Sequence, residues 1–525
     1  MSNQPVSGAM ASAAVQANLS AGMATKVVRG SLWTLGGQGV ALLAAFIATP
    51  FVIRLLGAEQ YGVLSLINAL IGYLAFADLG MGMASTRFGG EAFARHDRRG
   101  EAAVVWTSLL LALVPAVLIS GSLMLIAAPL VEHALKLPAS LQTVATLALR
   151  IAALGFVFRV IAGVMNTPQL VRLRMDWNAL VISGCLTAQL LLVPVVLARG
   201  AGLVGAVSVI TGMALVSALL QALIARRLLP RLARPQITRP LIKPLAGFGA
   251  GLVTSSLAST LLAHAEKFFV ARFASVSSLA YYSVAFNLAG MLTVLSIAVA
   301  DATFPAFSRL QAETDREPLR RLSTRMLRGN LLWTAPLGML LCVIAKPFLT
   351  LWAGPDYGRE SVLPFYILVA GLMFSIVAYV PYLLLMACGR SDVVARLHLA
   401  ELLPYLGGAA VLTYSYGAVG AAIAWSLRVL IDTSLLVWLA RRLSGFPASP
   451  FAAQPRSYWL ALGILFTPMP LVLNGWSPLW IAGSALVALS GYAAIVWKRV
   501  LTLEEQQWLQ AMMRWRATDI LSQRL

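Results

Sequence analysis

An all-α, polytopic membrane fold is predicted by three observations. The chain of 525 residues is 59% hydrophobic and only 11% charged, its mean hydropathy is +0.81, and apolar runs of about twenty residues recur along its whole length. A soluble core could not hide that much apolar surface. The runs are continuous rather than alternating, which argues against barrel strands, and in hydrocarbon a helix satisfies its own backbone groups.

In chain order, residues 1–25 are rich in Ser, Ala, Gln and Gly and lack the basic start and distinct apolar segment of a cleavable signal; a disordered cytoplasmic tail is expected. About fourteen spans are expected after it, at 30–53, 61–85, 102–128, 144–165, 176–198, 204–225, 245–271, 279–304, 329–350, 363–387, 395–413, 417–440, 457–473 and 477–497. The alternate connections on one side are all short, the longest lying around Glu132 to Gln142, so an external catalytic domain is not expected. Residues 498–525 carry Trp508, Leu509, Met512, Met513, Trp515 and Ile520 among Glu, Gln and Arg, the pattern of an amphipathic helix on the cytoplasmic membrane surface; a solvated helical tail is the alternative.

The net charge of +20 raises the question of nucleic acid. The Lys and Arg residues, however, sit mostly in short loops between spans. They favour the side that holds the N-terminus by about five to one, leaving Arg54, Lys136, Arg199, Arg272, Lys346 and Arg359 on the other. Membrane orientation accounts for the charge: both termini are expected to be cytoplasmic, with no nucleic-acid partner. Cys185, Cys342 and Cys388 all fall in or at the end of apolar runs and read as small core residues rather than as a disulfide framework or metal site.

The chain repeats itself. Gly202-Leu203-Val204-Gly205-Ala206 opens a span that ends Ala225-Arg226-Arg227-Leu228, and Gly417-Ala418-Val419-Gly420-Ala421 opens another that ends Ala440-Arg441-Arg442-Leu443. Phe51-Val52-Ile53-Arg54 before Tyr61-Gly62 likewise matches Phe269-Val270-Ala271-Arg272 before Tyr281-Tyr282. Six intervening helices leave both copies pointing the same way, a parallel repeat about an axis along the membrane normal. The expected domains are therefore a six-helix lobe over 26–230, a second over 231–442, and two extra helices over 457–497. These last could pack on one lobe or line a lipid-facing groove. Two similar lobes with a cavity between them suggest a transporter.

Ionisable residues inside spans cost about 3 kcal/mol each unless they face protein or a wet cavity, so they are the candidate functional groups. Arg159, Lys267 and Arg428, with Asn287, are expected to line a substrate cavity. Asp78, Glu266, Asp301, Glu401 and Asp432 are candidates for ion coupling, with H+ or Na+ as the coupling ion and no other cofactor or metal. Arg428 and Asp432, four apart, share a helix face, as a functional couple or a self-neutralising structural pair. Arg150 and Arg159 point to opposite sides of one helix, and Arg150 is expected to snorkel outward. Ser283, Asn287, Gly290 and Asp301 form a polar stripe that either lines a pathway or bonds neighbouring helices. His264, Glu266 and Lys267 crowd one turn, as a coupling site or an internal ion pair. Guanidinium groups suit a phosphate-bearing substrate, which they bind bidentately without losing charge. No Walker A sequence, His-Glu-x-x-His motif or strand-borne phosphate loop occurs, so neither ATP-driven transport nor an enzyme is expected.

Several short motifs, in order over roughly residues 26 to 440, carry a family resemblance. They are Arg29-Gly30-Ser31-Leu32-Trp33, the run from Arg54 through Gly57 to Tyr61-Gly62, Asp78-Leu79-Gly80-Met81-Gly82, Tyr281-Tyr282-Ser283-Val284-Ala285, Phe304-Pro305-Ala306-Phe307-Ser308-Arg309 and Trp352-Ala353-Gly354-Pro355. With them the chain resembles the polysaccharide transporter branch of the multidrug/oligosaccharidyl-lipid/polysaccharide exporter superfamily, which includes the O-antigen flippases. The resemblance implies alternating-access translocation of a polyprenyl-diphosphate-linked oligosaccharide for surface polysaccharide assembly. It extends to membrane lipids and to a polysaccharide polymerase and chain-length machinery as partners. It also implies that Arg54, Gly57, Gly62 and Gly80 support turns rather than grip substrate. A multidrug exporter of the same superfamily, exchanging organic cations for H+ or Na+, is the alternative; Arg159, Lys267 and Arg428 favour an anion instead.

Overall fold

A computed structural model describes residues 6–74, 78, 80–135, 137–294, 296–297, 303, 307, 310, 317–444, 446, 455–503, 505–507 and 510, with side chains from 33 onward except at 250–259. The chain divides into two compact units, residues 1–280 and 281–525. Among the described residues there is no β-strand. The chain is a multi-pass, all-α membrane protein.

Unit 1 contains α1 (Val6–Tyr73), α2 (Met81–Ala94), α3 (Arg98–Pro129), α4 (Ala139–Met165), the short α5 (Thr167–Val171), α6 (Met175–Ala198), α7 (Gly202–Leu228), α8 (Arg239–Phe269) and the first turn of α9 (Val276–Gly290). Unit 2 holds the rest of α9, then α10 (Glu317–Trp352), α11 (Pro355–Glu360), α12 (Val362–Ala387), α13 (Ser391–Ser444), α14 (Pro455–Leu465), α15 (Met469–Leu473) and α16 (Pro478–Ile495). α1 is already helical at Val6, whereas a disordered segment was expected up to residue 25.

Ten helical stretches among the described residues are long and apolar enough to cross a membrane. Two of them, 33–73 and 391–443, are broken by Gly57 (φ 72°, ψ 169°) and Gly417 (φ 57°, ψ −135°), so each carries two of the expected spans. A left-handed φ costs glycine nothing, because it lacks the Cβ that would clash. α8 and α9 stand at the seventh and eighth expected places, and residues 295, 298–302 and 304 of the eighth expected span lie outside the described residues. The second expected span, 61–85, is not continuous. α1 ends at Tyr73 and α2 begins at Met81, with residues 75–77 and 79 outside the described residues; just before α2 the Asp78 carboxylate accepts the Gly80 N–H at 2.7 Å and Gly80 turns left-handed (φ 62°, ψ 20°). An Asp side chain that satisfies a backbone donor locally competes with the helix.

In unit 1 the main packing pairs are α4 with α7, α1 with α6, α3 with α4 and α6 with α7, and α8 lies against α1, α2 and α3. Gly62 faces the Val276 backbone so closely that a Cβ would run into its carbonyl. In unit 2 α12 packs on α13 and on α10. The two extra helices, α14 and α16, pack on α10: Ala335 and Met339 meet Ala461, Leu465, Ala485 and Tyr492, and the Tyr492 hydroxyl donates to the Leu332 carbonyl at 2.9 Å. Arg328 of α10 closes the same face, bonding the Val500 carbonyl at 2.6 Å and Glu505 at 3.1 Å.

The repeat is written in backbone and side chain. Gly202 and Gly417, 215 apart, have φ of 56° and 57°. On α7 the Thr211 hydroxyl donates to the Ile151 carbonyl of α4 at 3.1 Å, beside Gly155; on α13 the Ser426 hydroxyl donates to the Ile367 carbonyl of α12 at 2.9 Å, beside Gly371. Small residues at such crossings let backbones approach and hydroxyls bond across. The residues of the expected amphipathic tail, Trp508 to Ile520, lie outside the described residues apart from Gln510, and so does Asp301.

Candidate functional site

α13 folds back on itself at Gly417. Gly420 sits against the Leu412 carbonyl, where any Cβ would collide, so the outgoing half (391–416) and returning half (418–444) lie side by side. This hairpin sets Ala424 opposite Tyr405, Arg428 opposite Glu401 and Asp432 opposite His398, on the walls of one cleft of about 310 Å3 or beside it. The cleft is otherwise apolar, with Pro404, Gly408, Leu427 and Ile431 on its walls.

Four ionisable side chains converge there. Asp432 Oδ1 lies 3.7 Å from His398 Nε2. The Arg428 guanidinium carbon lies 5.9 Å from the centre of the Tyr405 ring. Glu401 is 7% exposed and Asp432 9%. Neither oxygen of Glu401, nor Asp432 Oδ1, nor Arg428 Nε has a hydrogen-bond partner among the described residues. A buried carboxylate without donors is costly unless it is neutralised or paired. Two carboxylates face one permanent cation, Arg428, so full ionisation with a neutral imidazole would leave the cleft one negative charge in excess. Binding of a single cation, or of one proton, removes the excess.

The repeat supplies an internal control. At the offset of 215 residues, Arg428 corresponds to Met213 and Asp432 to Ser217. Met213 lies in the groove between α6 and α7 of unit 1, whose walls include Val216, Leu220 and Leu223. The same helix pairing thus forms without these charges, and packing alone does not demand them in unit 2.

Of the residues singled out in the sequence, Glu401, Arg428 and Asp432 come together. Arg159 stands apart, in unit 1, in a cleft between α4, α7 and the end of α1 that is also lined by Asn68, Ile71 and Thr211. Arg150, on the opposite side of α4, is exposed and its Nε donates to the Met124 carbonyl at 3.1 Å, as its outward position predicts. Glu266 is fully buried near the end of α8, with Lys267 half-buried beside it; the Tyr73 hydroxyl bonds the carbonyl of His264 one turn before. Asn287 is exposed on α9, and Ser283 of the same stripe is buried. Asp78 shapes the turn before α2. His398, Tyr405 and Asn68 were not anticipated. The signal for His398 was its position one helical turn before Glu401; Asn68 lies 219 residues before Asn287, within the spread of the repeat.

A different polar cluster ties together the ends of unit 1. Glu101, fully buried at the start of α3, receives both terminal nitrogens of Arg172, at 2.5 and 3.0 Å, and that guanidinium also lies 4.8 Å from the Phe93 ring centre. Gln169 donates to Gln221, which in turn donates to Asn178 at 3.2 Å. Glu101 and Arg172 satisfy one another, which marks that pair as architectural, while Gln169 Oε1 has no hydrogen-bond partner among the described residues.

Residues 51–360 match the family described as polysaccharide biosynthesis protein. The chain is 25% identical over 424 residues to a candidate O-antigen transporter of Shigella flexneri, covering 79% of this chain and 98% of that one. Among solved structures, the lipid II flippase MurJ in an inward closed conformation aligns with a TM-score of 0.65 at 12% identity, covering 89% of this chain and 98% of that one. An inward-facing multidrug resistance MATE family transporter of the MOP superfamily aligns with a TM-score of 0.64 at 15% identity, covering 78% and 98%. The last two likenesses concern the fold alone.

Proposed function

From the premise that the chain belongs to the polysaccharide biosynthesis protein family, we propose that it is a flippase for a polyprenyl-diphosphate-linked oligosaccharide. It moves this lipid from the cytoplasmic to the periplasmic leaflet of a bacterial inner membrane by alternating access, with both termini cytoplasmic. The observation that carries the reading is the similarity to a candidate O-antigen transporter along nearly the whole length of that relative. The excess of Lys and Arg on one side of the spans supports the orientation.

The α13 cluster is the coupling site of this reading. Glu401 and Asp432 bind H+ or Na+, and His398 holds Asp432 in place from the facing half of the hairpin. Occupancy neutralises the cleft, so it closes within the bilayer during the alternation without an uncompensated charge. Arg159, Arg428 and Lys267 serve the anionic diphosphate, with Asn68 beside Arg159 and Asn287 available to the sugar hydroxyls. A polysaccharide polymerase and chain-length machinery take the product on the far side.

The test is flipping of a labelled polyprenyl-diphosphate oligosaccharide in liposomes holding the purified protein, with and without an imposed proton or sodium gradient, beside a cationic dye. Glycolipid movement alone establishes the reading, and its gradient dependence identifies the ion. Dye movement without glycolipid movement replaces it with drug export.

A further inference from the structure

On the surface of α6, Leu180, Gly184 and Ala188 recur every four residues and so form one line along the helix. Two clefts share that line. On one side a space of about 780 Å3 runs between α6 and the early part of α1, from Trp33 past Gly36 to Leu191. On the other a space of about 490 Å3 runs between α6 and α7, from Arg227 and Trp177 past Leu220 to Met213. Leu180 is 66% exposed, so α6 stands as a low ridge between two apolar channels. From Trp177 to Leu191 the ridge is roughly 21 Å long at 1.5 Å per residue, enough to cross the ~15 Å of one hydrocarbon leaflet.

Small residues in a membrane helix usually serve close helix packing. Gly37 does so, lying against Ser183 of α6, but Gly184 and Gly36 do not: a Cβ added at either would have nothing within 4 Å among the described residues. Their smallness leaves room that no described neighbouring helix takes up. Both channels begin at the same end, which is aromatic and basic. Trp33 and Trp177 are both exposed there. Arg174 is held by Asp176 at 3.1 Å and lies over the Trp177 ring at 5.2 Å. Arg227, exposed beside the equally exposed Arg226, lines the second channel and has no ion pair among the described residues.

We propose that this face of unit 1 holds one anionic two-chain glycerophospholipid, its phosphate on Arg227 and its two acyl chains in the channels on either side of the α6 ridge. Paired apolar channels that open at one basic, tryptophan-flanked end fit a headgroup with two chains, and the arginine favours net negative charge. A single isoprenoid chain would fill one channel only. The site is independent of the transport reading, and its test does not involve transport.

The test is native mass spectrometry of the full-length protein extracted in mild detergent from membranes of equal phosphatidylglycerol and phosphatidylethanolamine content. One phospholipid per chain is expected to survive, with phosphatidylglycerol preferred about fivefold. Arg227→Gln brings that preference to parity. Gly184→Leu, which places a side chain in open space on the ridge, lowers retention of both lipids in protein that keeps its elution profile. Equal retention of the two lipids by the unaltered protein, retention unchanged in both variants, or an isoprenoid diphosphate in place of the phospholipid would each overturn the proposal.

Discussion

Asp432, on the returning half of α13, faces His398 on the outgoing half, with Oδ1 3.7 Å from Nε2, although 34 positions of chain separate them. The juxtaposition depends on the tight turn at Gly417 and on the absence of a side chain at Gly420. It makes the hairpin, rather than either helix alone, the unit on which the proposed cation coupling rests.

Removing the carboxylates therefore uncouples transport from its gradient. In Asp432→Asn and Glu401→Gln, gradient-driven flipping is expected to fall roughly tenfold, equivalent to ~1.4 kcal/mol, while gradient-independent exchange persists. Liposomes with and without an imposed gradient separate the two. A gradient response of normal size in both variants would take the coupling role away from the cluster.

In the proposed reading the basic residues act on substrate rather than on the ion. Arg159→Ala, Lys267→Ala and Arg428→Ala, made singly in protein that still inserts, are each expected to raise the glycolipid concentration needed for half-maximal flipping by about tenfold, the scale of one charge-assisted contact. Normal transport by all three would end the anionic-cavity reading and leave the fold untouched.

Glu101 and Arg172 predict a stability effect with no bearing on coupling. Glu101 has no exposed surface, so Glu101→Ala strands a guanidinium in a place built for an ion pair, at a cost of about 3 kcal/mol. Arg172→Ala strands the carboxylate at a similar cost. Unfolding in a denaturing-detergent titration should show the double variant losing clearly less than the sum of the two.

Thr211 and Ser426 make the same bond in the two copies of the repeat. Thr211→Val and Ser426→Ala should each cost about 0.6 kcal/mol, the mean for interhelical hydrogen bonds in membranes, and the same titration reads both. Gly155→Ala and Gly371→Ala should cost more. The new Cβ at each meets the partner hydroxyl or its helix backbone, and at Gly371 even the Ser426 Cα lies 2.9 Å away.

Much of this architecture was legible because hydrophobic length and charge asymmetry act on whole spans. The pair of Gly-rich starts at Gly202 and Gly417 announced the repeat, and the identical left-handed φ of both glycines is the physical reason those residues recur. The interruption between Tyr73 and Met81 was not legible: residues 61–85 are apolar enough to pass for one helix, and the Asp78 bond to a left-handed Gly80 is a local feature that hydrophobic length does not encode. The site was half legible. Arg428 and Asp432 share a face by spacing alone, whereas their meeting with Glu401 and His398 depends on how sharply the chain reverses at Gly417, a tertiary property that periodicity does not encode. Arg159 was found by its charge, but its neighbour Asn68 comes from a helix some ninety positions earlier in the chain.

The hydroxyl-to-carbonyl bond over a glycine uses three positions in each copy and leaves the outward faces of the same helices unconstrained. Such a frame survives duplication while its two copies specialise. In unit 1 the groove beside the joint has a largely apolar wall, and in unit 2 the corresponding groove has a titratable lining, a contrast written entirely in side chains at positions the shared joint does not use.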